Sequence, residues 1–240
     1  MKYIAERMTK SVYVIAIWDE AWGSFNNCYV IKNAGKTILI DTGKVEHVDY
    51  FIRALGEIGI DEHDIDLIIV THVHKDHIGG SMAFKSREKR IHKKDYFQLD
   101  SILQEQFTPI EADEGWMNGL NYFRLGHHTP GSLVLYLPAE KVLFMGDFHC
   151  FFGVKSIENG FVYEGVELRD QSREIVSGIL QEDHAFEKYN LREYFLGLKK
   201  INTLQIDYLA TGHGVVLKGG IKEFIEDLLR LEPIRGREGG

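Results

Sequence analysis

Cysteine is scarce: Cys28 and Cys150 are the two in 240 residues. So few thiols exclude a disulfide framework in a chain this long. Both read as reduced side chains of a cytosolic protein, with a single Cys28–Cys150 bridge as the alternative. Positive charge is also short, with 28 Lys and Arg against 36 Asp and Glu and a net charge of −8. That balance lacks the basic footprint of a nucleic-acid-binding surface. No apolar run approaches the length of a membrane span. Lys2, Arg7 and Lys10 before VYVIAIW imitate a signal peptide. The run is short, however, Asp19 and Glu20 follow at once, and no small-residue cleavage site appears, so the segment reads as a strand. Internal repeats, low-complexity tracts and linkers are missing as well. What remains is an ordinary globular composition, 44% hydrophobic and 27% charged, read as one cytoplasmic domain over residues 1–240.

Strand and helix signals alternate along it. CYVIK and TILID flank NAGK, a hairpin signal with Gly35 at the turn. Val48, Phe51, Ile52 and Leu55 recur at helical spacing and stop at Gly59. DIDLIIVTH is a continuous apolar run, the mark of a strand buried on both faces. IGGSMAF reads as the start of a helix, RIHK as a strand and DYFQLDSILQEQF as a helix. NYFRL, SLVLYL and KVLFM read as successive strands. Helices are expected from Arg169 to Gln181 and from Ala185 to Lys200, followed by a strand over IDYLATGHG. IKEFIEDLLRL is a closing amphipathic helix, and the RGREGG tail reads as frayed. Two halves of this kind imply two sheets with helices outside.

Histidine totals 11, and three of them fall within THVHKDHIGG, residues 71–80. In a strand, residues i and i+2 share a side, so His72 and His74 converge where the strand ends. Two imidazoles aimed at one point seat zinc or another borderline cation. Asp76 and His77 come where the chain turns into a helix and face a neighbouring point, which implies two adjacent cations. Further ligands must come from elsewhere, and apolar runs end in candidates. YFRLGHHTPGS supplies His128 with His127 beside it. KVLFMGDFH supplies Asp147, whose carboxylate can bridge, and IDYLATGHG supplies His213. Strand ends are where layered α/β proteins place their sites.

Together these segments resemble the metallo-β-lactamase-fold hydrolase superfamily. Its leading signature, His-x-His-x-Asp-His, reads His72-Val73-His74-Lys75-Asp76-His77. His128-Thr129-Pro130-Gly131-Ser132, Gly146-Asp147 and Gly212-His213 follow in order, and Asp41-Thr42-Gly43 matches a further motif. The match runs from about residue 26 to 214. The resemblance implies a four-layer αβ/βα sandwich of two mixed β-sheets with helices on the outer faces. It also implies two divalent cations, zinc foremost, with iron or manganese as alternatives. His72, His74 and His128 would hold one, Asp76, His77 and His213 the other, with Asp147 between them. Asp41 would be a carboxylate that orients a ligand imidazole. The family usually has glycine where this chain has His127. Spacing to Thr129, Gly131 and Ser132 favours His128 as the ligand, with His127 as the alternative.

A water shared by two such cations has its pKa lowered to about 7, while the cations polarise a carbonyl and stabilise the oxyanion that forms. Asp76 is the candidate to orient that water and pass a proton to the leaving group. The expected reaction is hydrolysis of an ester, thioester, lactone or amide of a small molecule, with no nucleic-acid or membrane partner. Glyoxalase II is the nearest broad comparison, although its basic, glutathione-gripping helical extension has no match after His213. Homoserine-lactone hydrolysis stays open. The main alternative is a mononuclear iron sulfur dioxygenase, because ligand identity alone does not choose between zinc and iron. Flavodiiron proteins match less well: they usually have glutamate at the place of His74, and a flavodoxin domain that this sequence does not show. A phosphodiesterase is disfavoured by the acidic balance.

His47, His63, His92 and His184 read as solvated or hydrogen-bonded. His149 reads as structural, with substrate contact as the alternative, and Cys150 as a small buried apolar residue. Phe148, Phe151, Phe152, Phe161 and Tyr163 read as an apolar pocket wall or as core. No motif names the substrate, and no feature sets an oligomeric state.

Overall fold

The computed structural model describes residues 3–84, 88–152 and 161–233. Two mixed sheets of seven strands each form its centre. The first contains β1 (Tyr3–Arg7), β2 (Val12–Asp19), β3 (Ser24–Asn33), β4 (Lys36–Ile40), β5 (Leu67–Ile69), β6 (Glu88–His92) and β7 (Thr108–Ile110), and their spatial order is their chain order. β1 to β4 pair antiparallel and β4 to β7 parallel. The second contains β8 (Glu114–Met117), β9 (Leu120–Arg124), β10 (Leu133–Leu137), β11 (Val142–Gly146), β12 (Val162–Tyr163), β13 (Tyr208–Thr211) and β14 (Val216–Lys218). Its order is β12-β14-β13-β11-β10-β9-β8, with β11 parallel to β13.

Strand periodicity explains the layers. In β2, Val12, Val14 and Ala16 turn into the apolar core shared by the two sheets, while Ile15 and Ile17 face outward onto Phe51, Ala54 and Leu55 of α1 (Val48–Glu57). A strand covered on both faces has no solvent side to mark with polar residues, so its run is continuously apolar. The second sheet is covered in the same way by α5 (Val166–Ile179), α7 (Leu191–Ile201) and α8 (Ile221–Leu229), which place Leu168, Leu198 and Phe224 in its core. The result is the expected four-layer αβ/βα sandwich.

Several elements differ from the sequence reading for local reasons. DYFQLDSILQEQF is two short helices, because the Asp100 side chain accepts from Leu103 N–H and restarts the chain as Ser101–Gln106. The helix expected from Ala185 to Lys200 breaks at Asn190, whose φ of 48° lies in the left-handed region. IGGSMAF opens inside α2 (Lys75–Ile78) and continues as a 3-10 turn. The RGREGG tail lies outside the described residues. Cys28 and Cys150 are free thiols. Among the described residues, no helix is long and apolar enough to cross a membrane.

One clasp joins the sheets at the end of the β10–β11 hairpin. Glu140 there accepts hydrogen bonds from the hydroxyls of Thr9 and Ser11 and the Ser11 N–H, in the β1–β2 turn of the other sheet.

Candidate metal centre

The C-terminal ends of β5, β9, β11 and β13 carry His72 and His74, His128, Asp147 and His213, and the first turn of α2 supplies Asp76 and His77. They gather into two groups able to hold a metal ion, His72–His74–His128 and Asp76–His77–Asp147–His213, each with its donor atoms within 4.8 Å of one another. Asp147 lies between the groups: Oδ2 is 3.6 Å from His128 Nε2 and 3.3 Å from His213 Nε2, and Oδ1 is 3.2 Å from His77 Nε2. Asp76 Oδ2 is 3.1 Å from the Nε2 atoms of both His77 and His213.

Asp41, just past β4, organises the ring orientations behind this centre. Its carboxylate accepts from Thr71 N–H at 2.7 Å and the Thr71 hydroxyl at 2.8 Å, and Oδ2 is 2.8 Å from His77 Nδ1. That contact requires the His77 proton on Nδ1, which leaves Nε2 as a lone-pair donor. Because the Thr71 hydroxyl spends its proton on Asp41, it accepts from His72 Nδ1 at 3.1 Å, and His72 Nε2 is likewise a lone pair. His72 Nε2 is buried without a hydrogen-bond partner, and His77 Nε2 faces the carboxylates of Asp76 and Asp147 at 3.1 and 3.2 Å. Such imidazole nitrogens beside two carboxylates are the donor set of a borderline divalent cation, so these residues fit the group that the sequence implies. Asp41 holds a φ of 61°, a left-handed conformation that Asx residues tolerate best among non-glycines.

Among the protein groups themselves, burial pulls His72 well below the ordinary imidazole pKa, and the neighbouring His77 adds to this. For His77 burial acts the same way, but the carboxylates of Asp147 and Asp41 outweigh it and hold the ring well above the usual value, so that a cation held at Nε2 would have to displace a proton there. Burial raises Asp147 and Asp76, yet the histidines around them prevail and both carboxyls lie below the ordinary range. The centre therefore keeps its carboxylates ionised.

His127 and His128 divide as their neighbours dictate. His128 Nε2 is 2.9 Å from His74 Nδ1, whereas His127 Nδ1 reaches the Asn190 carbonyl at 3.2 Å and its ring packs on Phe148 and Tyr194. Burial lowers the His127 pKa to about 4. His149 bonds to the Tyr194 hydroxyl at 3.0 Å and to Ser172 Oγ at 3.1 Å, a tie between α5 and α7. His92 meets Asp113 at 3.2 Å, His47 lies against Asp19, and His63 and His184 are exposed. Cys150 is not packed as inert core: it is partly exposed, and its Sγ is 3.5 Å from Asp147 Oδ1. Phe148, Phe151 and Phe161 belong to the core, while Phe152 is 51% exposed and stacks on His213 with ring centres 5.2 Å apart. The side chain of Tyr163 lies outside the described set.

Two contributors, Asp95 and Asn27, carry no motif. Asp95 is buried behind the ligand loops and accepts from Val73 N–H, the Thr129 hydroxyl and Gly131 N–H, holding the His72–His74 loop to the His128 loop. Gly212 admits the Asp147 carboxylate at close range, since a Cβ there would fall 2.2 Å from Oδ1. Asn27 could have been singled out as a polar residue within an apolar strand: its side chain donates to the carbonyls of Thr211 and Gly214 on either side of His213.

Comparison with known proteins agrees with this architecture. The family model of the metallo-beta-lactamase superfamily matches residues 21–213. The chain is 29% identical over 224 residues to an anaerobic nitric oxide reductase flavorubredoxin of Vibrio vulnificus, covering 86% of this chain and 43% of that protein. It is 23% identical over 146 residues to an N-acyl homoserine lactonase of Bacillus thuringiensis, covering 48% of this chain and 58% of the relative. The crystal structure of a flavoprotein from Thermotoga maritima superposes with a TM-score of 0.74 at 22% identity, covering 95% of this chain and 60% of that one. The chain thus spans about half the length of the curated relatives it matches. With the sandwich and its paired clusters of ligating side chains in place, the extent of the family match settles the assignment: this chain belongs to the metallo-β-lactamase superfamily.

Proposed function

We propose that the protein is a hydrolase of small-molecule esters, thioesters, lactones or amides that works with two divalent cations, zinc foremost. His72, His74 and His128 would hold one and Asp76, His77 and His213 the other, with Asp147 serving both. The observation that carries this reading is the position of Asp147, one carboxylate within 3.6 Å of His128 and 3.3 Å of His213. When bound, such cations supply an activated water at neutral pH and polarise the carbonyl under attack. The chain's own groups do the rest. Asp41 keeps the His77 proton on Nδ1, so that the ring is oriented before substrate arrives. Asp76 lies against His77 and His213, a position that suits it to orient the nucleophilic water and pass its proton to the leaving group.

Iron-dependent redox chemistry on the same side chains is the second reading, supported by the likeness to the Vibrio vulnificus and Thermotoga maritima flavoproteins. The imidazole of His74, where flavodiiron proteins usually have glutamate, argues for the hydrolase. Elemental analysis of protein purified without added metal, paired with a hydrolysis panel, separates the two. About two equivalents of zinc or manganese with chelator-sensitive hydrolysis is the expected result. Iron, with oxygen or nitric oxide consumed by the reduced protein and no hydrolysis, would overturn it.

A further inference from the structure

A cleft of about 470 Å3 opens beside the two clusters, with His128 and Asp147 in its lining. This is within the range of about 300–1,000 Å3 found for small-molecule sites. The walls are unusual for the neighbourhood of so polar a centre. Phe152 lies against His213 while remaining 51% exposed, and Ile175 of α5 is 57% exposed. Ile179, one helical turn beyond Ile175, lines the same cleft, so α5 presents an apolar stripe there. Isolated exposed apolar residues need no explanation, but two exposed ones and the half-buried Ile179 converging on one concavity at a ligand cluster do. The charge pattern is equally informative. Lys188 also lines the cleft, but its ammonium is bonded to Glu182 Oε2 at 2.6 Å. Its charge is thus already offset by a carboxylate before any anionic tail arrives.

We propose that this cleft receives the apolar acyl chain of the substrate, so that the enzyme hydrolyses uncharged medium-chain acyl esters, thioesters or lactones in preference to acyl groups ending in a carboxylate. The inference rests on the hydrolase reading. In the reaction the oxygen of water bonds to the acyl carbon, the acyl C–O or C–S bond breaks, and a proton passes to the leaving oxygen or sulfur. A free acid and an alcohol or thiol result, and no oxidant or reductant is consumed.

The test compares kcat/KM of the metal-loaded protein for acetyl, butyryl, hexanoyl, octanoyl and succinyl thioesters. Wild type is expected to gain roughly fourfold per added methylene. It should also favour butyryl over succinyl, which has the same chain length. Ile175→Asp and Ile179→Asp should flatten the rise, whereas Ile102→Asp, at an exposed position on the Ser101–Gln106 helix, should keep it. Turnover without chain-length dependence overturns the acyl cleft and leaves the hydrolase reading standing. No turnover of any substrate overturns the hydrolase reading instead. Calorimetric titration with octanoate then decides the cleft: binding weakened by Ile175→Asp supports it, and no binding overturns it.

Discussion

Asp95 and Asp41 are both buried carboxylates that hold other residues in place, and they differ in what they hold. Asp41 steers the His77 ring directly and the His72 ring through Thr71, while Asp95 gathers three donors from two loops that are far apart in sequence. Replacing Asp95 with alanine strands the Val73 and Gly131 N–H groups, while the Thr129 hydroxyl keeps Ser132 Oγ as a partner. Since each unsatisfied buried group costs about 1–3 kcal/mol, Asp95→Ala is expected to lose about 3 kcal/mol of stability by denaturant unfolding. Metal titration should show weakened affinity in the same variant, because His74 and His128 would no longer be held together. Unchanged unfolding and unchanged affinity would refute this account. Asp41 was legible because it stands in a recognisable Asp-Thr-Gly stretch at a strand end. Asp95 was not, since an aspartate in a short helix after a strand looks like any solvated charge until the fold buries it.

At the scale of elements, the Glu140 clasp links hairpin turns of opposite sheets. Burial raises the Glu140 carboxyl, but the hydrogen bonds from Thr9 and Ser11 outweigh it and leave the pKa below the ordinary value. A carboxyl depressed on folding stabilises the protein above its unfolded pKa, about 4.3, and that contribution is lost as pH falls below it toward the folded value. Glu140→Ala is accordingly predicted to destabilise by about 1–2 kcal/mol at neutral pH. The difference from wild type should shrink when unfolding is repeated near pH 3. A deficit that persists there would point to lost packing rather than to the carboxylate. The same scale shows why some elements were readable and others were not. β2, β10 and β11 are long apolar runs closed by turns, a signal that survives in the sequence alone. β7, β12 and β14 have two or three residues each, too few to display a period. The breaks at Asp100 and Asn190 depend on a side-chain cap and a left-handed backbone, which polar residues adopt only where the surrounding chain requires it.

At the scale of the molecule, ligation and stability are coupled. Cations that bind the folded state alone add about 2.7 kcal/mol at a hundredfold excess over Kd. Stripping them with a chelator is therefore expected to lower Tm by about 5–10 °C, and restoring zinc should reverse it. A Tm indifferent to chelation in a protein shown to contain metal would contradict the proposed ligand set. The centre was legible in sequence because its chemistry concentrates in rare residue types at strand ends. The cleft was not, because Ile175 and Ile179 look like the buried stripe of any amphipathic helix until the neighbouring layers leave one side of it open.

The strand order of the first sheet also bears on how the chain assembles. Each of its strands pairs with the one just before it, so every pairing closes a loop to a chain segment already formed. The second sheet must instead bring Val142 alongside Tyr208, a much longer closure with a larger entropic barrier. On the ribosome the first sheet can therefore form while the second is still being made. The His72–His77 loop would then be presented early, and cation capture completed only when Asp147 and His213 arrive. Metal uptake in this protein becomes a clock for the last step of folding.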